Sequence, residues 1–403
     1  MKRRLNSILG LALLLPVLGR AENAVPSSTP LPAPSGSAHS AAAALSAALT
    51  PVSTFFGIGS SRFTPRLSYR FLRADDILAQ PGKFESSIIQ AISAGVTVDF
   101  GTHWKADYEP SWIFYSNQAF SDTLDHALTL SGTTSYDDWT FQFTQGFATT
   151  SQPVIETAAQ TESKNFSAGV LANYRLGRRT LLDTGINWSL RLTKVYPDSR
   201  DWSTRHSLRY KFSPGLEAGF TVSLGLSDMG DNAKTAYTRP GVQIGWRPSD
   251  KLIVDLHGGL EIREGKSRNS DTSSDPIAGI LVTYRPFEPT TFRLSHSRSV
   301  YPSYFEQLLN RNTASSVGID QRFLKRFQAS ATWTRGKAVY IFSQTGANAG
   351  RDDTYRSFSG RLGAVAFKKA DVAILYQTSG NSSNASGFGF GSTQYGFEVG
   401  YRF

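Results

Sequence analysis

Residues 182–193 alternate without a break. Leu182, Thr184, Ile186, Trp188, Leu190 and Leu192 fall on one parity, and Asp183, Gly185, Asn187, Ser189, Arg191 and Thr193 on the other. Residues 252–263 repeat the pattern, with Leu252, Val254, Leu256, Leu260 and Ile262 set against Asp255, His257, Glu261 and Arg263. A period of two means strand. Strands in soluble domains average about five or six residues, whereas a tilted strand crossing a bilayer needs about nine to eleven. A soluble sandwich or propeller also alternates, but with shorter strands and without one long apolar stripe beside Gly, Ser, Thr and charge. The stripe here belongs against lipid and the other face against water.

Eighteen such segments (16–18 by the least regular ones) run from residue 64 to residue 403. The predicted fold is all-β: a single closed antiparallel transmembrane β-barrel. Closure removes the strand edges that lipid would penalise, and an even count returns the last strand to the first. The punctuation alternates as well. Short turns near 177, 213, 247, 285, 324 and 368 separate longer polar loops such as "SQPVIETAAQTES" and "SGNSSNASGFGFGS", the layout of outer-membrane barrels. None of these loops is obviously long enough to fold inward and narrow the lumen, so selectivity is expected to rest on wall residues.

Before the barrel, "MKRR" followed by "LNSILGLALLLPVLG" and the small residues around Gly19–Ala21 reads as a secretory signal over 1–21. A single membrane anchor is the alternative, for which the stretch is short. Residues 22–63 form a Pro/Ala/Ser-rich linker, too short for a folded plug of roughly 100 residues. The barrel then occupies 64–403. The chain has no cysteine and a net charge of +10. Losing Lys2, Arg3, Arg4 and Arg20 with the signal leaves 10 − 4 = +6. The remaining basic residues are dispersed, which excludes a nucleic-acid partner.

An aromatic–arginine pair recurs before the short turns: Tyr174-Arg175, Trp246-Arg247, Tyr284-Arg285 and, reversed, Arg322-Phe323, with Arg209-Tyr210 nearby. The chain ends on the same pattern, Tyr401-Arg402-Phe403. The rings belong to an interfacial girdle and the arginines point into the lumen near its mouth. A signal peptide, a barrel and a last strand ending in Phe resemble bacterial outer-membrane proteins. That resemblance implies localisation in the bacterial outer membrane, contact with its lipid and lipopolysaccharide, and recognition of Tyr401 and Phe403 by the barrel-assembly machinery. The hairpin texture of 165–193 resembles the beta-barrel porin 2 group, whose members are often associated with exopolysaccharide gene clusters.

Taken inward, the polar parity is modestly basic. Charge at this density calls for a wet lumen, and eighteen strands leave room for one. The candidate functional residues are the basic groups of the lumen and its mouth, Arg175, Arg209, Arg247, Arg285, Arg322 and Arg402. They either favour anions or pair with lumen acids and solvate the wall. Asp255, His257, Ser295 and Ser297 share the polar parity, but i and i+2 on a strand lie about 7 Å apart, too far to assume a catalytic dyad. No enzyme activity, cofactor or metal is expected. The function expected is a porin-like channel passing hydrophilic solutes, anionic or saccharide ones being candidates. The alternative is a non-conducting structural or assembly-partner barrel of an envelope or exopolysaccharide export system. The oligomeric state is left open.

Overall fold

The computed structural model describes residues 56–58, 61–230, 234–265, 272–305, 308–342, 350–367 and 369–403. The expected signal segment and most of the linker lie outside the described residues. The barrel strands are β1 (Ser61–Gln80), β2 (Lys83–Phe100), β3 (Trp104–Tyr115), β4 (Thr123–Tyr136), β5 (Trp139–Thr150), β6 (Ser163–Arg175), β7 (Thr180–Thr193), β8 (Ser199–Ser213) and β9 (Leu216–Asp228). The second half comprises β10 (Lys234–Ser249), β11 (Leu252–Gly265), β12 (Thr272–Tyr284), β13 (Thr290–Pro302), β14 (Leu308–Phe323), β15 (Phe327–Phe342), β16 (Asp352–Ala366), β17 (Ala370–Ser383) and β18 (Phe390–Arg402). Every strand pairs antiparallel with its sequence neighbours, and β18 closes on β1 from Thr393↔Asp75 to Arg402↔Arg66. A short strand, Phe56–Ile58, folds back onto Ser61–Phe63. β1 starts three residues ahead of the expected boundary at 64.

The alternation does what its period requires. Outward residues such as Phe220, Val242, Leu224, Leu362 and Ile374 are exposed over a continuous apolar belt, and no backbone edge interrupts that belt. Connections after even-numbered strands are tight, and those after odd-numbered strands are mostly longer. One end of the barrel is therefore a turn end and the other a loop end.

Two features depart from a regular cylinder. The β1–β2 hairpin is tall and ends in a Pro81–Gly82 turn that docks on the loop after β17, with Gly82 N–H donating to Gly387 O at 2.8 Å. Both glycines have positive φ, and a Cβ on Gly387 would sit 3.2 Å from that of Pro81, so the contact needs their bare backbone. The second departure is a seam. Pairing between β12 and β13 stops at Ala278↔Arg298, although β12 extends to Thr272 and β13 to Pro302. Beyond that point the β13–β14 tip folds into the lumen. Val300 and Leu309 there are buried against Met229, although they share the parity on which Phe292, Leu294 and Val317 are exposed below. Arg311, on the same outward parity, forms an ion pair with Asp275 of β12.

Candidate functional site

The lumen wall is lined by polar side chains that bond to one another. Arg66 forks onto both oxygens of Asp107, at 2.8 and 2.7 Å, and reaches Glu109 at 2.8 Å. Arg209 does the same to Asp183, at 2.6 and 2.8 Å, with Glu217 at 2.8 Å. Arg70 and Arg361 share Glu398, and Arg361 also meets Asp371. Towards the loop end, Arg239 and Arg263 converge on Glu261 at 2.6 Å each. Between these arginines lies the Tyr237 ring, with guanidinium carbons 4.3 and 4.8 Å from its centroid. Arginine suits this wall because its planar fork satisfies a carboxylate bidentately. Gly225 makes room for Tyr237, since a Cβ there would lie 2.1 Å from the ring.

The expectation that no loop narrows the lumen is overturned. The connection between β5 and β6, residues 151–162, folds inward as a strap. It carries a small hairpin, Pro153–Val154 against Ala159–Gln160, which lies beside β1. Gln160 exchanges two 2.9 Å hydrogen bonds with the backbone of Ser121. At the tip, the Glu156 carboxylate accepts from Ser303 Oγ, from the Tyr304 N–H at 2.7 Å and from Asn310 at 3.4 Å. Ser303 and Tyr304 lie between β13 and β14, and Asn310 on β14. β14 is nine strands from β5 (14 − 5 = 9), half of the eighteen, so the strap meets the inward β13–β14 tip coming from the opposite wall, and the two together cross the lumen.

Two arginines complete this crossing. Arg351 is 2% exposed. It donates to Glu156 O at 2.8 Å, to Asp353 Oδ1 at 3.0 Å and to Asp353 Oδ2 at 2.5 Å, and its guanidinium stacks 3.6 Å over the Phe388 ring. Arg191 of β7 reaches across to Ser303 O at 2.5 Å and lies 4.0 Å over the Tyr304 ring. The constriction is thus an aromatic and guanidinium layer set by the strap and the inward β13–β14 tip. Nothing in the alternation of 151–162 announces it. A sequence sign is charge on the lipid parity at Arg311, which the structure turns towards Asp275.

The six candidate arginines divide. Arg175, Arg247, Arg285 and Arg322 are exposed at the turn end, and Arg402 is half-buried there. None of these five has an ion pair within 4 Å among the described residues. Their backbones share a role: the N–H groups of Arg175, Arg247, Arg285, Arg322 and Arg402 donate to Asp138, Gly215, Lys251, Pro289 and Lys369 carbonyls of the adjoining turns, at 2.6 to 3.1 Å. Arg209 lies apart from them, held by Asp183 and Glu217 as described. The aromatic partners face outward, with Tyr174 against Trp139 and Phe323 stacked on Phe327. Tyr401 and Phe403 pack edge to face at 4.9 Å, and Phe403 N–H donates to Pro65 O at 3.1 Å, closing the barrel.

The residues weighed for catalysis are engaged separately. Ser295 Oγ meets Ser316 Oγ at 2.7 Å, and the His257 ring lies over Gly279, where a Cβ would come within 2.0 Å of it.

No protein-family model and no curated protein matches the sequence. Solved barrels are similar in fold. Pseudomonas aeruginosa OpdL is 12% identical over 86% of this chain and 99% of its own, with a TM-score of 0.44. Acinetobacter baumannii OccAB4 is 13% identical over 85% and 98%, with a TM-score of 0.43. Pseudomonas aeruginosa OccK2 (OpdF), solved in complex with glucuronate, is 12% identical over 85% and 98%, with a TM-score of 0.45. No residue role is carried over from them.

Proposed function

We propose that this chain is an outer-membrane channel for small hydrophilic solutes, with a narrowed passage and a basic mouth that favours anions. The observation that carries the reading is the pairing of two surfaces: a continuous apolar belt outside, and a lumen of ion-paired side chains inside. A barrel built only to sit in a membrane has no need of a charged interior, whereas a water-filled pore does. In this reading the 1–21 segment directs export, the turn end faces the periplasm, and the loop end faces outward. Solutes move by passive diffusion. The wall arginines are neutralised by their acids, so the unpaired mouth arginines supply the anion preference, and the strap sets the size limit.

The test is single-channel recording of purified protein in a planar bilayer. Stepwise conductance is expected, and replacing residues 153–160 with a short Gly-Ser link is expected to raise it by about twofold or more, as widening a constriction does. Silence from well-inserted protein, with and without the strap, would overturn the reading. One observation favours a second reading, a non-conducting structural barrel of an envelope or exopolysaccharide export system: Glu156, Thr157 and Ala158 are buried across the lumen. The protein with its strap in place separates the two: a channel conducts as it stands, whereas a structural barrel is silent until the strap is removed.

A further inference from the structure

Above the apolar belt on β15 and β16, two arginines stand face to face on the outside of the barrel. Arg335 pairs directly with Arg356 in the strand register. Both side chains are exposed, and neither has an ion pair among the described residues. Like charges directly opposed on one face of a sheet destabilise it. The next outward position on β15, Lys337, adds a third cation, only this one offset, by Asp352 at 2.7 Å. Beside the pair in the same row stand Ser315 on β14 and His296 on β13, hydrogen-bonded at 2.8 Å. On the other side is Gly380 of β17, over which the Arg356 side chain lies, its Nε 3.7 Å from where a Cβ would stand.

The row immediately below is Leu294, Val317, Trp333 and Phe358, all outward and exposed. The cationic pair thus stands at the upper boundary of the apolar belt, one outward position above Trp333 and Phe358. This is the height of lipid headgroups. Paired guanidinium forks match a phosphate better than they match any carboxylate within reach, and the apolar row beneath offers contact to acyl chains.

We propose that Arg335 and Arg356, with Lys337 beside them, bind the phosphate of an outer-leaflet glycolipid, the phosphorylated lipid A portion of lipopolysaccharide. The proposal rests on the outer-membrane placement but not on channel activity. A bound phosphate converts the repulsion of the pair into two charge-assisted contacts, and the lipid becomes part of the folded wall.

The test uses the full mature barrel, delipidated in detergent, with folding scored by heat-modifiable gel mobility. Native mass spectrometry then follows the retention of diphosphorylated lipid A, the same lipid stripped of its phosphates, and inorganic phosphate. One diphosphorylated lipid is expected to be retained, with the dephosphorylated lipid about tenfold weaker or more. The Arg335→Gln/Arg356→Gln double variant should lose binding by a similar factor, while Arg175→Gln at the opposite end should not. Without lipid the double variant should melt at the same temperature as the wild type or above it, because a repulsion is gone. Only the wild type should gain thermal stability on adding lipid A. Arg335→Lys/Arg356→Lys keeps the charge but loses the fork and should bind with intermediate affinity. Equal retention by wild type and double variant, equal retention of the dephosphorylated lipid, or displacement by inorganic phosphate at equal concentration would each overturn the proposal. Binding is read in detergent, so a barrel silent in conductance still tests it.

Discussion

Two guanidinium groups, from Arg239 and Arg263, share the single carboxylate of Glu261, whose side chain is 1% exposed. Removing one partner of a buried pair strands the other charge, at a cost of about 3 to 5 kcal/mol. Glu261→Gln is therefore expected to destabilise the barrel by that order, measured by urea unfolding in lipid vesicles. An unchanged midpoint would mean that water already solvates both arginines. Depth in the membrane gives a second residue-scale expectation. Val242 faces lipid two outward positions above the girdle residue Trp246, whereas Val254 is paired with Trp246 itself. Arginine near the bilayer midplane costs about 2 to 4 kcal/mol and near the interface about 0 to 1. Val242→Arg should thus be the costly change and Val254→Arg the tolerated one, and the reverse order would show that the belt has been placed at the wrong height.

At the scale of elements, the recurring aromatic–arginine pair has two structural halves. The ring anchors the strand at the interface, and the N–H of the arginine or its neighbour closes the adjoining turn. β18 ends on the same device, with Phe403 bonding back to Pro65 of β1. Deleting Phe403, or making Phe403→Ser, should lower assembly into the outer membrane more than Phe403→Tyr, scored by the heat-modifiable fraction. Equal assembly of the deletion and the wild type would sink the idea. All eighteen strands were legible as alternating segments because each presents one face to lipid and one to water over most of its length. Their ends were less legible. The first alternating segment reads as 64–72 in the sequence, yet β1 continues to Gln80 through two register shifts, where the Asp75-Asp76 pair breaks the alternation and Asp76 takes a positive φ. The strap and the inward tip were not legible at all. Val300 and Leu309 keep their parity while the backbone bends, so the pattern survives and only its surroundings change from lipid to protein. A contact such as Glu156 with Ser303, 147 residues apart, leaves no local trace.

At the scale of the whole molecule, charge is sorted by pairing. The wall arginines Arg66, Arg209 and Arg263 are each matched by carboxylates, and Arg175, Arg247, Arg285, Arg322 and Arg402 stand around one rim, at the ends of five different strands. Spread positive charges raise the local concentration of anions, and salt screens the effect over about 10 Å at 0.1 M. Replacing Arg175, Arg247 and Arg285 together by Gln should shift the reversal potential in a salt gradient toward cations, most at low ionic strength, with thermal stability nearly unchanged. A wild-type reversal potential in the triple variant would reduce the rim to a solvated edge. The strap has a mechanical consequence too. A hoop braced by a chord resists becoming oval along that chord and yields across it. Lateral pressure in the membrane plane would load the Glu156 anchorage before it deformed the wall, and the cross-section of the barrel would keep its longest stiffness along the line from β5 to β14.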